Sequence, residues 1–377
     1  MRESSDIVIV GGGIIGCAIA YQLAARGGRS VLLLERDRIG GQALIAWSGL
    51  LALPPGEGTP APLRDLAAAS LAMYPEVVDD LIERTGIDPE LRRSGALHLA
   101  VTDHEEELLR AELAALRQWD NRYRWVEQGE LRDLEPDLAG SFRGAVHAPG
   151  ECNILSPRLV RAYAHAASQA GARIREATEV RDFTVEDGRV TGLSTAGGEI
   201  GSGTVIFAVG AWSGSLGRRL GLALPVGPLR GQIIRLSTWK MPVRHTLYHG
   251  VSYITPKSSG VIAVGSTEEE ASFDRRVTNA GIAFLTRFAI DTVPALADAT
   301  FLDAWSGLRP LPADGMPVIG WAPHLANVLV ATGHARNGVL WSAITARIAA
   351  DLLDGTESPL DITPFGLARF VRPGNAD

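Results

Sequence analysis

The stretch "DIVIVGGGIIGCAIAYQLAARGGRSVLLLE", residues 6–35, decides the fold of this chain. The apolar run DIVIV predicts a strand buried in a parallel sheet, and the run SVLLLE predicts a second strand. Between them, a glycine-rich turn leads into small and apolar residues at helical spacing. Strand, turn, helix and strand in this order predict an α/β fold with a parallel sheet.

The turn has glycines at the spacing that nucleotide-binding βαβ units require. Gly11 allows the tight turn, Gly13 lets the backbone approach a pyrophosphate, and Gly16 lets the helix pack closely. The helix N-terminus would then face the phosphates. Glu35 ends the second strand 19 residues after Gly16, where its carboxylate would accept hydrogen bonds from ribose hydroxyls. The alternative is a glycine-rich βαβ unit without a nucleotide, and such a unit serves NAD as well as FAD.

Composition excludes several classes of protein. The chain has 377 residues, enough for two domains or one large one, and its net charge of -7 argues against a nucleic-acid partner. Its two cysteines, Cys17 and Cys152, lie outside any CxxC pattern, which indicates a reducing compartment and no thiolate zinc site. The eight histidines show no metal-binding spacing, and no apolar run reaches about 18 residues. We therefore expect a cytoplasmic protein that binds no metal, nucleic acid or membrane.

The rest of the chain alternates between helical and strand patterns. Helices are predicted over 63–84, 105–119, 155–171, 279–293 and 339–353. Strands are predicted at 95–101, 172–176, 204–210 and 327–333, with a hairpin turn at Asp187-Gly188 and further strands between 226 and 270. The chain contains no low-complexity linker, so we expect domains that interweave.

Six motifs in a fixed order carry a resemblance to a known family. After the N-terminal fingerprint come VIFAVGAWS (205–213), PLRGQ (228–232), YITP (253–256), WSGLRPLPADGMPVIG (305–320) and GHARNG (333–338). Together they resemble the D-amino-acid oxidase-like FAD-dependent oxidoreductases over nearly the whole chain, and within them the glycine oxidase branch of bacterial thiamine biosynthesis.

The resemblance implies a glutathione-reductase-type FAD-binding Rossmann domain interwoven with an antiparallel-sheet substrate domain. The FAD-binding domain would comprise residues 1–81, 146–222 and 303–377, and the substrate domain residues 82–145 and 223–302. Residues in several segments would hold FAD, namely Gly11, Gly13, Ile14, Ile15, Gly16, Glu35, Arg36, Gly41, Gln42, Ala43, Ser48, Gly49, Leu50, Val180, Ala208, Gly210, Trp212, Gly307, Arg309, His334, Arg336, Asn337, Gly338, Val339 and Leu340.

Two features of the C-terminal segment bear on how FAD is held. No cysteine occurs there, where related monomeric sarcosine oxidases carry a covalent link, so we expect non-covalent FAD. A helix that begins near Gly338 would direct backbone N–H groups at the flavin pyrimidine ring. Its dipole would stabilise the negative charge that develops on reduction.

The resemblance also implies a substrate site. Arg309 would pair with the substrate carboxylate, and Tyr253 and Arg336 would help to hold the same group. A planar guanidinium gives two parallel hydrogen bonds to a carboxylate, and a neighbouring tyrosine hydroxyl adds a third. The alternative is that both arginines form structural salt bridges to Asp303 or Asp314.

The expected reaction follows from the cofactor. Hydride would pass from the Cα–H of a neutral amine to flavin N5, and the imine would hydrolyse to an oxo acid and ammonia or an amine. Oxygen would reoxidise the flavin and form hydrogen peroxide. Glycine, sarcosine or a D-amino acid are the candidate substrates, and the resemblance favours a homotetramer. The alternatives are a sarcosine, proline or D-amino-acid dehydrogenase that reduces a quinone or carrier protein, a non-catalytic flavin subunit, and a nicotinamide-dependent reductase.

The chain departs from the family pattern at bulky positions. Leu44 and Ile45 replace small or polar residues, and Trp47 stands where alanine is usual. Trp341 is a further departure, and each tryptophan either fills the core or reshapes the pocket. Glu268 either meets a substrate ammonium group at the mouth of the site or is a solvated turn carboxylate.

Overall fold

The computed structural model of the chain describes residues 3–42, 48–53 and 59–370. Ala43, Leu44, Ile45 and Trp47 lie outside the described residues. In this part of the chain the α-helices are α1 (Ile14–Arg26), α2 (Ala61–Thr85), α3 (Asp103–Leu116), α4 (Gln128–Leu134), α5 (Ser156–Gln169), α6 (Ser213–Gly217), α7 (Asn279–Thr292) and α8 (Ser342–Asp354).

The described strands fall into two large sheets and one short pair. They are β1 (Glu3–Val10), β2 (Val31–Leu34), β3 (Leu50–Leu51), β4 (Ala96–Ala100), β5 (Arg124–Glu127), β6 (Gly144–Ala148), β7 (Cys152–Asn153), β8 (Arg173–Arg175), β9 (Asp182–Glu186), β10 (Arg189–Thr195), β11 (Gly198–Phe207), β12 (Val226–Ser237), β13 (Thr246–His249), β14 (Ser252–Pro256), β15 (Val261–Gly265), β16 (Thr300–Pro312), β17 (Val318–Trp321) and β18 (Val328–Thr332).

The first sheet contains the βαβ unit that the N-terminal sequence predicted. Its strands lie in the order β17-β18-β11-β1-β2-β8; β18 to β8 run parallel, and β17 is antiparallel. The β9–β10 hairpin adds to the first half of β11. Alternate residues of β1 face opposite sides of the sheet, so Ile7 and Ile9 pack towards α1, α5 and α8 while Val8 and Val10 enter a second apolar cluster.

The second sheet is mostly antiparallel, in the order β16-β12-β15-β14-β13-β4-β6-β5, and only β13 and β4 pair in parallel. One face of this sheet packs against α4 and α7 through an apolar cluster that includes Ile234, Ile254 and Leu285. Residues next to these in sequence, Ile233 and Tyr253, point to the other face. The mixed α/β architecture is as predicted.

The chain crosses between the two sheets several times, which agrees with the absence of a linker. Strands of the first sheet come from residues 3–34, 173–207 and 318–332, and strands of the second from 96–148, 226–265 and 300–312. β16 begins three residues before the predicted boundary at 303 and pairs with β12 along its length. The domain boundaries themselves stay a prediction.

The last helix begins later than predicted. The pattern placed its start near Gly338, whereas α8 begins at Ser342. A 3₁₀ turn, Ala335–Asn337, comes first, and the Trp341 N–H donates to the Asn337 carbonyl oxygen at 2.8 Å. Ala335 has φ +42°, so the chain turns sharply after β18 before it can become helical.

A capping box fixes the start of α3, and its loss has a predictable cost. The Thr102 hydroxyl accepts from the Glu105 N–H at 3.2 Å, and the Glu105 carboxylate accepts from the Thr102 N–H at 2.9 Å. We expect Thr102→Ala to lower the free energy of unfolding by about 1 kcal/mol in urea titrations. Thr102→Ser keeps the acceptor oxygen and is the control. Equal losses for both substitutions would contradict the capping role.

Candidate active site

A large cavity lies where the two sheets meet. It measures about 420 Å³ and is lined by the carboxyl ends of β1, β2, β11 and β18 and by residues of β12, β14 and β16. Ligands of open α/β sheets bind outside the carboxyl ends of the parallel strands, because the connecting turns diverge there. The cavity is therefore the candidate active site.

The three fingerprint glycines have different surroundings. A Cβ atom on Gly11, whose φ is +110°, would lie 2.3 Å from the Ala208 carbonyl oxygen. One on Gly16 would lie 1.9 Å from the Gly11 carbonyl oxygen, so Gly16 allows α1 to pack against the turn. One on Gly13 would have no protein atom within 4 Å, and Gly13 lines the cavity. Only Gly13 keeps space open for a ligand, as expected for the glycine that meets a pyrophosphate.

Glu35 lies at the end of β2 with 6% of its surface exposed. Its Oε2 accepts from the Gly12 N–H at 2.7 Å, and its Oε1 accepts from the Asp37 N–H at 2.9 Å. A carboxylate has about four lone-pair sites, so both oxygens can still accept from hydroxyl groups. Next to it, the Arg36 guanidinium stacks 3.6 Å from the centroid of the Trp212 ring.

Most of the predicted cofactor residues line this one cavity. They are Gly11, Gly13, Ile14, Ile15, Glu35, Arg36, Gly41, Gln42, Ser48, Val180, Ala208, Gly210, Trp212, Gly307, Arg309, His334, Arg336, Gly338 and Val339. Residues outside the lining are Gly16, Gly49, Leu50, Asn337 and Leu340. Individual contacts with the cofactor stay a prediction for all of them.

Several lining residues were missed by the sequence reasoning. Gly12 and Leu308 adjoin predicted residues along the chain and could have been included on that ground. Arg181 reaches the cavity from a loop and Arg219 from a 3₁₀ turn, and no motif identifies either residue. Gly231 stands inside the quoted motif PLRGQ, but its role depends on strand pairing that the motif alone does not show.

Arg309 extends from β16 into the cavity without an acidic partner. Its Nη2 donates to Ser266 Oγ at 2.7 Å and its Nη1 to the Thr267 carbonyl oxygen at 3.1 Å. Burial, and next the neighbouring Arg336, lower the pKa of Arg309. In the described ranges no carboxylate forms an ion pair with this guanidinium, so the site has a strong preference for an anion.

The alternative, in which Arg309 and Arg336 form salt bridges to Asp303 or Asp314, is wrong. Asp303 binds Arg235, with Nε to Oδ1 at 2.8 Å, and Asp314 binds Arg369, with Nε to Oδ2 at 2.7 Å. Strand register explains the first pair, because β12 places Arg235 directly opposite Asp303. Neither acid is available to Arg309.

Two glycines make room for the side chains that converge on the cavity. A Cβ on Gly231 would lie 2.3 Å from the Arg309 guanidinium, and one on Gly265 would lie 2.3 Å from the Tyr253 hydroxyl. Burial raises the pKa of Tyr253, against the opposing influence of Ser48 and the two arginines. Its hydroxyl therefore stays protonated near neutral pH and can donate a hydrogen bond.

Arg336 lines the cavity and does have an acidic partner, which is Glu268. Arg336 Nη1 donates to Glu268 Oε1 at 2.8 Å, and Nη2 donates to the Val251 carbonyl oxygen at 2.8 Å. This ion pair was part of neither expectation for Glu268, which is exposed as a turn carboxylate would be. A contact with a substrate ammonium group stays a prediction.

His334 presents a buried nitrogen to the same region. The side chain is 1% exposed, its Nε2 lies 3.0 Å from Thr345 Oγ1, and its Nδ1 has no partner in the described structure. Burial lowers the pKa of His334 to about 3, so the ring is neutral near pH 7. His334 lines the cavity, and an unpartnered buried nitrogen is uncommon in a folded protein.

Trp341, the bulky departure after GHARNG, is core. It is 1% exposed, belongs to the main apolar cluster, and does not line the cavity.

Across the described segments, no three His, Cys, Asp or Glu side chains gather in a group that could hold a metal ion. Among the helices described, none is long and apolar enough to cross a bilayer.

Comparisons with known proteins agree with this geometry. A family model described as DAO, FAD dependent oxidoreductase, matches residues 6–352. The glycine oxidase of Geobacillus kaustophilus (strain HTA426) is 37% identical over 375 residues, which are 98% of this chain and 98% of that protein. The crystal structure of glycine oxidase from Geobacillus kaustophilus matches with a TM-score of 0.95 and 36% identity, and the match covers 98% of this chain and 100% of that one.

A third relative has a longer chain. The bifunctional protein ThiO/ThiG of Trichormus variabilis (strain ATCC 29413 / PCC 7937) is 32% identical over 371 residues, which are 97% of this chain and 55% of that protein.

The nucleotide-binding βαβ unit and the cavity between the two sheets define an FAD-dependent oxidoreductase. The chain belongs to the FAD-dependent oxidoreductase family named DAO, as the six motifs indicated, and is an enzyme of the amino-acid oxidase type. FAD is confirmed as its cofactor by this family membership. The residues present fit that group, since Gly13 leaves open space, Glu35 retains acceptor capacity and His334 Nδ1 lacks a partner.

The different surroundings of Gly13 and Gly16 lead to opposite expectations. Gly13 has φ −76°, which any residue can adopt, so Gly13→Ala should leave the stability of the FAD-free protein within about 0.5 kcal/mol. The same change should weaken FAD binding by about tenfold or more, because the methyl group occupies the space of the pyrophosphate. Gly16→Ala should instead destabilise the FAD-free protein by about 2 kcal/mol or more.

Urea unfolding of the stripped protein and quenching of flavin fluorescence measure the two effects. Gly129→Ala is the matched control, because a Cβ there also meets no atom within 4 Å and Gly129 lies in α4, outside the cavity lining. If Gly13→Ala unfolded the FAD-free protein and left FAD affinity intact, the assignment of the three glycines would be refuted.

Proposed function

We propose that this enzyme catalyses the oxidative deamination of glycine or another small amino acid, such as sarcosine or a D-amino acid. The products are an oxo acid and ammonia or an amine, and O2 accepts the electrons to give H2O2. The observation that carries the proposal is the Arg309 guanidinium, which lies half-buried at the cavity wall and, among the described residues, donates hydrogen bonds to the neutral groups of Ser266 and Thr267 without an acidic partner.

Arg309 and Tyr253 supply the recognition of the amino-acid carboxylate. A guanidinium with a fixed planar fork binds both oxygens of a carboxylate, and the bonds to Ser266 and Thr267 hold the Arg309 fork in one orientation. The protonated hydroxyl of Tyr253 supplies another donor. Arg336 adds positive charge near both Tyr253 and Arg309.

Anchoring the carboxylate also positions the reacting carbon. The Cα atom is one bond from the carboxylate, so fixing that group restricts the place and direction of the Cα–H bond. When bound, FAD supplies the acceptor for the hydride that leaves Cα. Pre-organisation of the substrate by Arg309 and Tyr253 is therefore the main contribution that these side chains make to the rate.

Relatives and sequence motifs supply the remaining parts of the proposal. Glycine is favoured as substrate by the similarity to the glycine oxidase of Geobacillus kaustophilus, and the similarity to ThiO/ThiG supports a place in thiamine biosynthesis. A location in the cytoplasm and assembly as a homotetramer stay predictions from the sequence.

Anaerobic bleaching of the flavin near 450 nm tests the proposal directly. Glycine, sarcosine, D-alanine, D-proline and a carboxylate-free amine are added in turn, and air is then admitted. We expect bleaching only by the amines with a carboxylate, followed by rapid recovery of colour and release of peroxide. Bleaching without recovery in air would identify a dehydrogenase, and bleaching by the plain amine would contradict carboxylate recognition.

The role of Arg309 gives a quantitative expectation. Arg309→Lys keeps the charge but loses the planar fork, and we expect kcat/KM for the best substrate to fall by about 100-fold, with KM raised and kcat lowered. The visible spectrum of bound FAD should persist. Arg235→Lys, on the neighbouring strand and paired with Asp303, is the matched control and should stay within about threefold of the parent. Equal losses in both variants would show a structural effect only.

A further inference from the structure

The segment after β15 is tied to the cavity wall by several polar contacts. Ser266 and Thr267 hold Arg309, and Glu269 accepts from Arg230 Nη2 at 2.5 Å and from Gln232 Nε2 at 2.6 Å. The Arg230 N–H also donates to the Glu269 carbonyl oxygen at 3.0 Å. Glu268 stands within this fixed segment, so its carboxylate is held at the rim of the site.

Glu268 and Arg336 form an ion pair at this rim. Their side chains are 30% and 35% exposed, and the distance from Arg336 Nη1 to Glu268 Oε1 is 2.8 Å. Arg336 lines the cavity, whereas Glu268 stands behind it. The negative charge of Glu268 acts on Arg309 as well as on Arg336, because it opposes the lowering of the Arg309 pKa. Glu268 therefore acts on both arginines that face the substrate site.

The charges at this end of the cavity define a selective site. Arg309, Arg336 and Glu268 sum to one positive charge, which a single carboxylate neutralises. A ligand with two carboxylates would bring the sum to one negative charge, and its second carboxylate would compete with Glu268 for Arg336. Repulsion between like charges a few ångströms apart in a partly hydrated site lowers affinities by about tenfold.

We propose that Glu268 is a specificity-determining residue that makes the site select substrates with one carboxylate over those with two. It does so by occupying Arg336 and by holding a negative charge at the rim. This inference rests on the proposed function, because it assumes that a carboxylate binds at Arg309. It identifies the substrate class as monocarboxylic amines, such as glycine and sarcosine, and disfavours amines with two carboxylates, such as iminodiacetate.

Glu270 provides a matched control for the loss of one negative charge. It lies two residues away, is exposed, and does not line the cavity. Glu268→Gln and Glu270→Gln change the net charge equally, so only a local effect can distinguish them. Glu268→Asp keeps the charge on a shorter side chain and should retain the selectivity of the parent, and Glu268→Ala is a second neutral variant should Glu268→Gln fail to fold.

The first measurement is binding to the FAD-loaded enzyme without turnover. Acetate and malonate are titrated at constant ionic strength, and the visible spectrum of the flavin reports the Kd of each. We expect Glu268→Gln to raise the affinity for malonate relative to acetate by about tenfold, and Glu270→Gln to leave the ratio within about twofold. An unchanged ratio in Glu268→Gln and Glu268→Ala would overturn the proposal.

The second measurement compares sarcosine with iminodiacetate, which differ by one carboxylate. The ratio of kcat/KM for iminodiacetate to that for sarcosine should rise by about tenfold in Glu268→Gln and stay near the parent value in Glu268→Asp. If no amine is oxidised but acetate binds, the proposed function fails and the malonate-to-acetate ratio still decides the role of Glu268. If acetate does not bind to the parent enzyme at all, both proposals are overturned.

Discussion

A half-buried guanidinium without an acidic partner in the described residues is the constraint on which the candidate active site depends. Removing a charge from water costs several kcal/mol unless hydrogen bonds and an opposite charge compensate it. The Arg309 guanidinium has two neutral acceptors, Ser266 Oγ and the Thr267 carbonyl oxygen, and space left by the absent side chain of Gly231. These contacts keep the side chain in place, and an anion that binds there compensates the electrostatic deficit that they leave.

The nucleotide end of the site could be predicted from the sequence because its geometry is local. Gly11, Gly13, Gly16 and Glu35 lie within one βαβ unit. The steric requirements of its backbone determine where each residue lies in space from its spacing in the sequence. The family motifs extended this prediction to residues far along the chain, and most of those residues do line one cavity. The start of the last helix was missed because Ala335 adopts a positive φ that residue type does not indicate, whereas its end lies within one residue of the prediction.

The partners of the two arginines could not be predicted, because ion pairs depend on strand register and on loops that meet only in the folded chain. Asp303 is near Arg309 in sequence, but the register of β12 and β16 places it opposite Arg235. Glu268 is 68 residues from Arg336 and reaches it only because β15 ends at the cavity rim. Sequence separation was thus a poor guide to charge pairing.

Interweaving of the two sheets explains why one cavity can serve two tasks. The parallel sheet contributes strand ends whose backbone N–H groups and glycine turns suit a nucleotide, while the antiparallel sheet contributes a face from which side chains project at fixed spacing. Ile233 and Tyr253 on that face alternate along their strands with the core residues Ile234 and Ile254 on the other face. A shift of the strand register by one residue would therefore exchange the residues of the cavity wall with those of the core. Packing of the apolar cluster that contains Ile234 and Ile254 therefore fixes the direction of Tyr253. The free energy that stabilises this sheet also orients the substrate site.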